Sequence, residues 1–137
     1  MSPATSIWQR LLARWRPDRC RSLIMLGIDS GCHRWHGALS EGSAFRIRVF
    51  IDDEPWNHRT RIGDAPVHYP SELLALLQKH RACALLQVED NARPAIDATM
   101  LDEIARLKIP LLTLPAQLPR DPAAVLRQML TSRAPER

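Results

Sequence analysis

At 137 residues and 45% hydrophobic content, the chain is long enough for one core and too short for two comfortable domains, so one globular domain is expected. Its longest apolar run, Leu23 to Ile28, falls well below the roughly 18 to 20 residues that span a bilayer, and three cysteines without a CxxC spacing argue against a disulfide framework. The formal charge of +4 is concentrated, because residues 1–22 hold Arg10, Arg14, Arg16, Arg19 and Arg21 against Asp18 alone; a partner drawn by charge meets this segment first.

In chain order, Ser6-Ile7-Trp8-Gln9 has the form of a capping box. Trp8, Leu11, Leu12 and Trp15 recur at spacings of three and four, which predicts a short amphipathic helix ended by Pro17. The segment over residues 1–22 is thus a basic helix preceding an α/β domain over 23–137. It docks on that domain by its tryptophans or makes a peripheral contact with a partner or membrane surface through residues 6–22. It lacks a continuous apolar stretch and a small-residue cleavage site, so no secretory signal is expected and a cytoplasmic location is.

Leu23 to Ile28 reads as a central strand covered on both faces, closed by the turn chemistry of Asp29-Ser30-Gly31. Arg34 to Ser40 places Trp35, Gly37 and Leu39 in alternation, and Phe45, Ile47, Val49 and Ile51 alternate with Arg46 and Arg48. With Glu41-Gly42-Ser43 between them, these predict an antiparallel hairpin with one wet face. Residues 52–69 show no sustained period and read as a long irregular connection of the kind that often carries function. A helix capped by Ser71, a buried strand at 83–88, a helix at 96–107 and a third buried strand at 109–114 follow. Asp121-Pro122 then supplies a cap and a first-turn proline for the last helix. Three strands followed by helix, strand, helix, strand, helix predict a three-layer ribonuclease H-like sheet of order 3-2-1-4-5 with helices on both faces.

Neighbouring parallel strands bring their carboxyl ends to one edge, where open α/β sheets bind ligands. Asp29 and Glu89 end two such strands, and Asp121 can offer a third oxygen, so a shared Mg²⁺ is chemically sensible. Each acid also has a plain structural role: a turn, a solvated loop and a helix cap. Arg46 and Arg48 on the hairpin, with Trp56, Arg59 and Arg61 in the following loop, suit phosphate contacts and base stacking, and equally a protected sheet edge. Cys32-His33-Arg34-Trp35-His36 lacks the second pair that a structural zinc requires. His58, His68 and His80 stand apart and read as surface or loop histidines. No GxGxxG, GxxxxGK[ST] or GxSxG is present.

The stretch Leu26-Gly27-Ile28-Asp29-Ser30-Gly31, followed by Gly37, resembles the first hairpin of RuvC-type Holliday-junction resolvases. Leu85-Leu86-Gln87-Val88-Glu89 resembles the strand that presents their second acid. That resemblance implies a nucleic-acid-binding, Mg²⁺-dependent endonuclease with Asp29, Glu89 and Asp121 as catalytic, metal-holding carboxylates, and Arg10, Arg14, Arg46, Arg48, Trp56, Arg59 and Arg61 as nucleic-acid contacts. Asp121 matches only loosely, since Ala123 and Ala124 stand where those enzymes carry a further acid. The same Gly-Ile-Asp-x-Gly start also resembles the first phosphate loop of actin-like ATPases and of the PilM and GspL assembly scaffolds. That second resemblance implies a noncatalytic interaction lobe within a larger assembly.

Overall fold

The computed structural model describes residues 21–133; the expected N-terminal helix, with Arg10 and Arg14, lies outside the described residues. The element order is β1 (Arg21–Leu26), α1 (Ser30–Ser40), β2 (Phe45–Ile51), β3 (Arg61–Ile62), β4 (Ala65–His68), α2 (Leu73–Lys79), β5 (Ala84–Val88), α3 (Ala98–Arg106), β6 (Leu111–Leu114) and α4 (Pro122–Arg133). One turn of 3-10 helix follows β2 at Pro55–Asn57 and another precedes α2 at Pro70–Glu72. The six strands form one sheet in the order β3-β4-β2-β1-β5-β6. All pairings are parallel except that of the short edge strand β3 with β4.

β1 is apolar throughout Leu23–Leu26 because it is central and covered on both faces. Leu23 and Met25 face a cluster built with Cys32, Trp35 and Leu39 of α1 and Leu126 of α4. Ile24 and Leu26 face a second cluster with Leu73, Leu76 and Leu77 of α2 and Ile104 of α3. The two layers of helices therefore take alternate side chains of the same strand.

The expected hairpin is not formed. Residues 34–40 belong to α1, and β2 runs parallel to β1 with that helix as the crossover. The alternation of Trp35, Gly37 and Leu39 misleads because Gly37 is exposed. The residues α1 buries are Gly31, Cys32, Trp35, His36 and Leu39, a stripe of helical period. The wet face assigned to β2 is confined to its first half, where Arg46 is exposed and Arg48 half-buried. The register between β1 and β2 slips by one residue, from Leu23 opposite Ile47 to Ile24 opposite Val49, leaving Arg48 unmatched. Past that slip the strand changes phase, so Ile47 and Phe50 enter one cluster while Val49 and Ile51 enter the other.

The parallel strands, counted alone in chain order, still read 3-2-1-4-5, the digits anticipated from the sequence. Their members and directions differ from a ribonuclease H-like sheet, whose first three strands are antiparallel neighbours. The residues taken for a formless connection supply β3 and β4 instead.

Candidate nucleotide site at the carboxyl edge

β1, β2 and β5 deliver their carboxyl ends to one edge, and strand order reverses between β1 and β5. Open α/β sheets bind ligands in the crevice at such a reversal. β1 is followed by Gly27, whose φ of +95° is available to glycine without strain. A Cβ there would stand 2.5 Å from the carbonyl oxygen of Ala92, so the chain leaves the sheet under the segment that follows β5. Helix α1 then starts at Ser30 with Asp29 at its N-cap position, although the Asp29 side chain makes no capping bond.

The start of α1 is closed over by that segment. The Gly31 amide donates to Asn91 Oδ1 at 2.7 Å, Asn91 Nδ2 donates to the Glu89 carbonyl, and the Ala92 amide donates to Asp29 Oδ2 at 2.9 Å. A Cβ on Gly31 would lie 2.6 to 2.9 Å from the Asn91 carboxamide. Asn91 therefore sits over the helix N-terminus, the position that an anion takes in nucleotide-binding folds. Arg93 reaches back to the carbonyls of Val88 and Asn91.

At the end of β2, Asp52 accepts hydrogen bonds on Oδ2 from Asn57 Nδ2 at 3.0 Å and from the Glu54 amide at 3.2 Å. Its Oδ1 carries no hydrogen bond among the described residues. A cavity of about 270 Å³ lies beside it, walled by Ile28, Asp29, Asp52, Asp53, Glu54, Asn57, Ala92 and Arg93. A larger cavity of about 520 Å³ lies at the opposite, amino edge near Arg21, Cys83 and Lys108. Its remaining walls are apolar, so convergent polar groups favour the smaller one.

The sequence placed Asp29 and Glu89 at the ends of neighbouring parallel strands, and the structure does so. Asp29 is engaged with the Ala92 amide, Glu89 is exposed, and Asp121 caps α4 by accepting from the Ala124 amide at 3.2 Å. Of the basic residues, Arg46 and Arg61 meet at Asp64, by a side-chain ion pair and a bond to its carbonyl respectively. Arg48 is fixed on Ser22 Oγ. Arg59 adopts φ +69° as its amide bonds to Val67. Trp56 is 73% exposed in the turn beyond β2, apart from the Arg46–Asp64–Arg61 group. Sequence reading missed Asp52, Asn57, Asn91 and Arg93. The available signal was an acid closing a buried strand about twenty residues after a glycine-marked strand-to-helix turn.

Parallel strands in the order β4-β2-β1-β5-β6, a glycine turn from β1 into α1 and an acid closing β2 define a doubly wound, Rossmann-type α/β fold. Solved structures agree with it. UDP-D-quinovosamine 4-dehydrogenase from Vibrio fischeri superposes with a TM-score of 0.57 at 22% identity, over 79% of this chain and 85% of that one. RSP, a Rex-family repressor, superposes with a TM-score of 0.57 at 15% identity, over 96% of this chain and 68% of that one. In its complex with β-NAD⁺ and operator DNA, RSP superposes with a TM-score of 0.55 at 14% identity, and this chain spans 65% of it. No protein-family model matches the chain, and no curated protein matches it.

These likenesses, with helix α1 where a second strand was required, correct five expectations. The fold is not that of RuvC-type resolvases, nor of the actin-like PilM and GspL lobes. The Mg²⁺-dependent nuclease reading falls with the first and the assembly-scaffold reading with the second. Mg²⁺ is withdrawn as the cofactor, since the neighbours solved with a cofactor hold β-NAD⁺ or β-NADH.

A dinucleotide fits this edge only in part. Counted from Gly27, the second glycine of a G-x-G-x-x-G fingerprint falls on Asp29 and the third on Cys32. The first position keeps its glycine. Cys32 is small enough for close helix–strand packing, with its thiol 3.8 Å from the Leu26 carbonyl. At the second position a carboxylate replaces the hydrogen that lets a pyrophosphate approach, and the Gly31 and Ala92 amides are already bonded. The ribose end fits at Asp52; the pyrophosphate end does not fit.

Proposed function

We propose that this chain is a Rossmann-type nucleotide-binding domain that takes a nucleoside at the carboxyl edge of β1 and β2, with Asp52 Oδ1 accepting from a ribose hydroxyl. The observation that carries this reading is the placement of Asp52: it closes the strand next to the glycine turn, borders a cavity, and keeps one carboxylate oxygen without a hydrogen bond among the described residues beside an oxygen already fixed by Asn57 and Glu54. The acidic walls around Asp29, Asp53 and Glu54 disfavour phosphates, so the preferred ligand is an uncharged nucleoside rather than NAD⁺ or NADH.

Titration of the protein with adenosine, AMP and NAD⁺, followed calorimetrically or by ligand-observed NMR, tests this. Adenosine is expected to bind at least as tightly as AMP or NAD⁺, and Asp52→Asn to weaken it about tenfold, in line with the roughly 1.5–3 kcal/mol of a hydrogen bond to a charged group. Asp29→Gly combined with Asn91→Gly is expected to raise affinity for NAD⁺ relative to adenosine. Absence of binding by all three ligands, or equal affinities in wild type and Asp52→Asn, would overturn the assignment.

A second reading concerns the arginines of residues 1–22. The whole net charge lies in residues 1–22, and the Rex-family structure that covers 96% of this chain holds operator DNA. Both support a nucleic-acid contact through Arg10, Arg14, Arg16, Arg19 and Arg21, made mainly to phosphates.

A further inference from the structure

Three side chains that are scattered in sequence meet at the edge of the sheet. His58 follows the 3-10 turn beyond β2, His68 ends β4, and Glu72 ends the 3-10 turn that leads into α2. Glu72 Oε2 lies 3.0 Å from His58 Nε2, and Glu72 Oε1 lies 3.0 Å from His68 Nδ1. One ligand atom from each residue can be chosen so that all lie within 4.8 Å of one another; among the described residues no other trio of His, Cys, Asp or Glu does so.

We propose that His58 Nε2, His68 Nδ1 and a Glu72 carboxylate oxygen form a binding site for a divalent transition-metal ion of the zinc type, with a fourth coordination position open to water. Two imidazoles and one carboxylate are a zinc donor set, whereas calcium and magnesium call for oxygen ligands throughout. Ligands about 2.0–2.2 Å from a tetrahedral zinc stand roughly 3.3–3.5 Å from one another. The two 3.0 Å separations run to different oxygens of Glu72, and the three chosen ligand atoms lie within 4.8 Å of one another, so the ion would draw the imidazoles toward one carboxylate oxygen.

The ligands are held before any ion arrives. The His58 ring stacks on Tyr69 with centroids 4.0 Å apart and planes 5° from parallel, and it meets the His68 ring edge-on at 5.9 Å. The Tyr69 amide donates to Glu72 Oε2 at 3.0 Å, an outer hydrogen bond of the kind that orients a metal-binding carboxylate. Burial pushes the Glu72 carboxyl up, but the Tyr69 amide and the His68 and His58 rings outweigh it and hold the group at about 2. The carboxylate is thus ionised at neutral pH. Among the described residues its ion pairs are with the two histidines alone. The histidine side chains are largely buried and Glu72 is 38% exposed, which leaves one side open to solvent. On binding, the ion takes the place of the protons that bridge the rings to the carboxylate, so uptake becomes weaker as pH falls.

The rival is a hydrogen-bonded His–carboxylate–His staple with no metal role. Calorimetric titration of the metal-free full chain with Zn²⁺ separates the two, together with the visible spectrum on titration with Co²⁺. One ion per chain and a tetrahedral Co²⁺ spectrum are expected. His68→Gln and Glu72→Gln should each weaken Zn²⁺ by more than about 100-fold, since loss of an outer-shell partner alone costs about 10- to 100-fold. Nitrogen-edited NMR of the histidine rings in the wild type gives a readout that needs no variant. Saturation with Zn²⁺ should move His58 Nε2 and His68 Nδ1 and leave the Asp52 ligand titrations able to report separately. Absence of Zn²⁺ binding, unmoved His58 and His68 nitrogens at saturation, or unchanged affinity in Glu72→Gln would overturn the site.

Discussion

Cys32 shows how one position serves packing at the expense of reactivity. Its side chain is fully buried against the Leu26 carbonyl. Burial pushes the thiol up from 9.0 to about 11, with the Asp29 carboxylate acting in the same direction. Native protein at mildly alkaline pH should therefore resist alkylation at Cys32 until urea exposes it, as mass spectrometry of labelled peptides would read. Linkage gives a second consequence. Between 9.0 and about 11 the folded chain keeps a proton that the unfolded chain releases, so this group lowers stability as pH rises through that window and has no effect below it. Replacing Cys32 by Ala should flatten that part of the urea-midpoint profile. An unchanged slope would show that the thiol is not held in its neutral form.

Asp29 and Asn91 act at the same scale. A carboxylate in place of the second glycine and a carboxamide on the Gly31 amide are what separate this edge from a pyrophosphate cradle. Neither is visible as a gain of function in the sequence. Asp29 reads there as a catalytic acid, and Asn91 as one polar loop residue among several.

At the scale of elements, α1 is the piece on which the fold turns. Trp35 is fully buried, and its indole N–H donates to the Pro115 carbonyl at 3.0 Å, tying the crossover helix to the segment after β6. Trp35→Ala is expected to cost about 3–5 kcal/mol through the cavity it leaves. Trp35→Phe should cost less while still orphaning that carbonyl. Chemical denaturation checks both; a loss below about 1 kcal/mol for Trp35→Ala would mean that the site collapses around the gap. The β3–β4 hairpin has a separate role. It carries His68 to the edge of Glu72 and holds Asp64 against Arg46 and His36. His36 is buried, and its Nε2 finds only Asp64 Oδ1 at 3.6 Å, too long for a hydrogen bond.

For the whole molecule, charge and core are separate quantities. The described elements enclose two apolar layers around one sheet, while residues 1–22 hold a charge equal to that of the whole chain. Deleting residues 1–20 should leave a folded sheet whose affinity for duplex DNA falls sharply and loses most of its salt dependence, because fewer counterions are then released. Binding measured across a salt series, with a thermal melt as the folding control, reads both. Retention of full, salt-sensitive affinity would move the contact to Arg46, Arg59 and Arg61. Among the described residues no helix is long and apolar enough to cross a membrane.

By itself the sequence determined the α/β class, the buried strands near 23–28, 83–88 and 109–114, the three helices after residue 70, and the position of Asp29 and Glu89 just beyond the carboxyl ends of neighbouring parallel strands. These follow from local signals: uninterrupted apolar runs, the Asp121 cap with Pro122, and the common direction of neighbouring parallel strands. Only the tertiary structure decided that 34–40 is a helix, since five residues of alternating character fit either period and the arbitrating face of Trp35, His36 and Leu39 is defined by what covers it. The register slip at Arg48 was illegible for the same reason, because a strand's phase shows only against its partner. Asp52 beside the glycine turn, Asn91 over the start of α1, and His58 with His68 and Glu72 are assembled from residues up to sixty positions apart. Such sites depend on how strands are ordered across a sheet, a property that no local window of sequence contains.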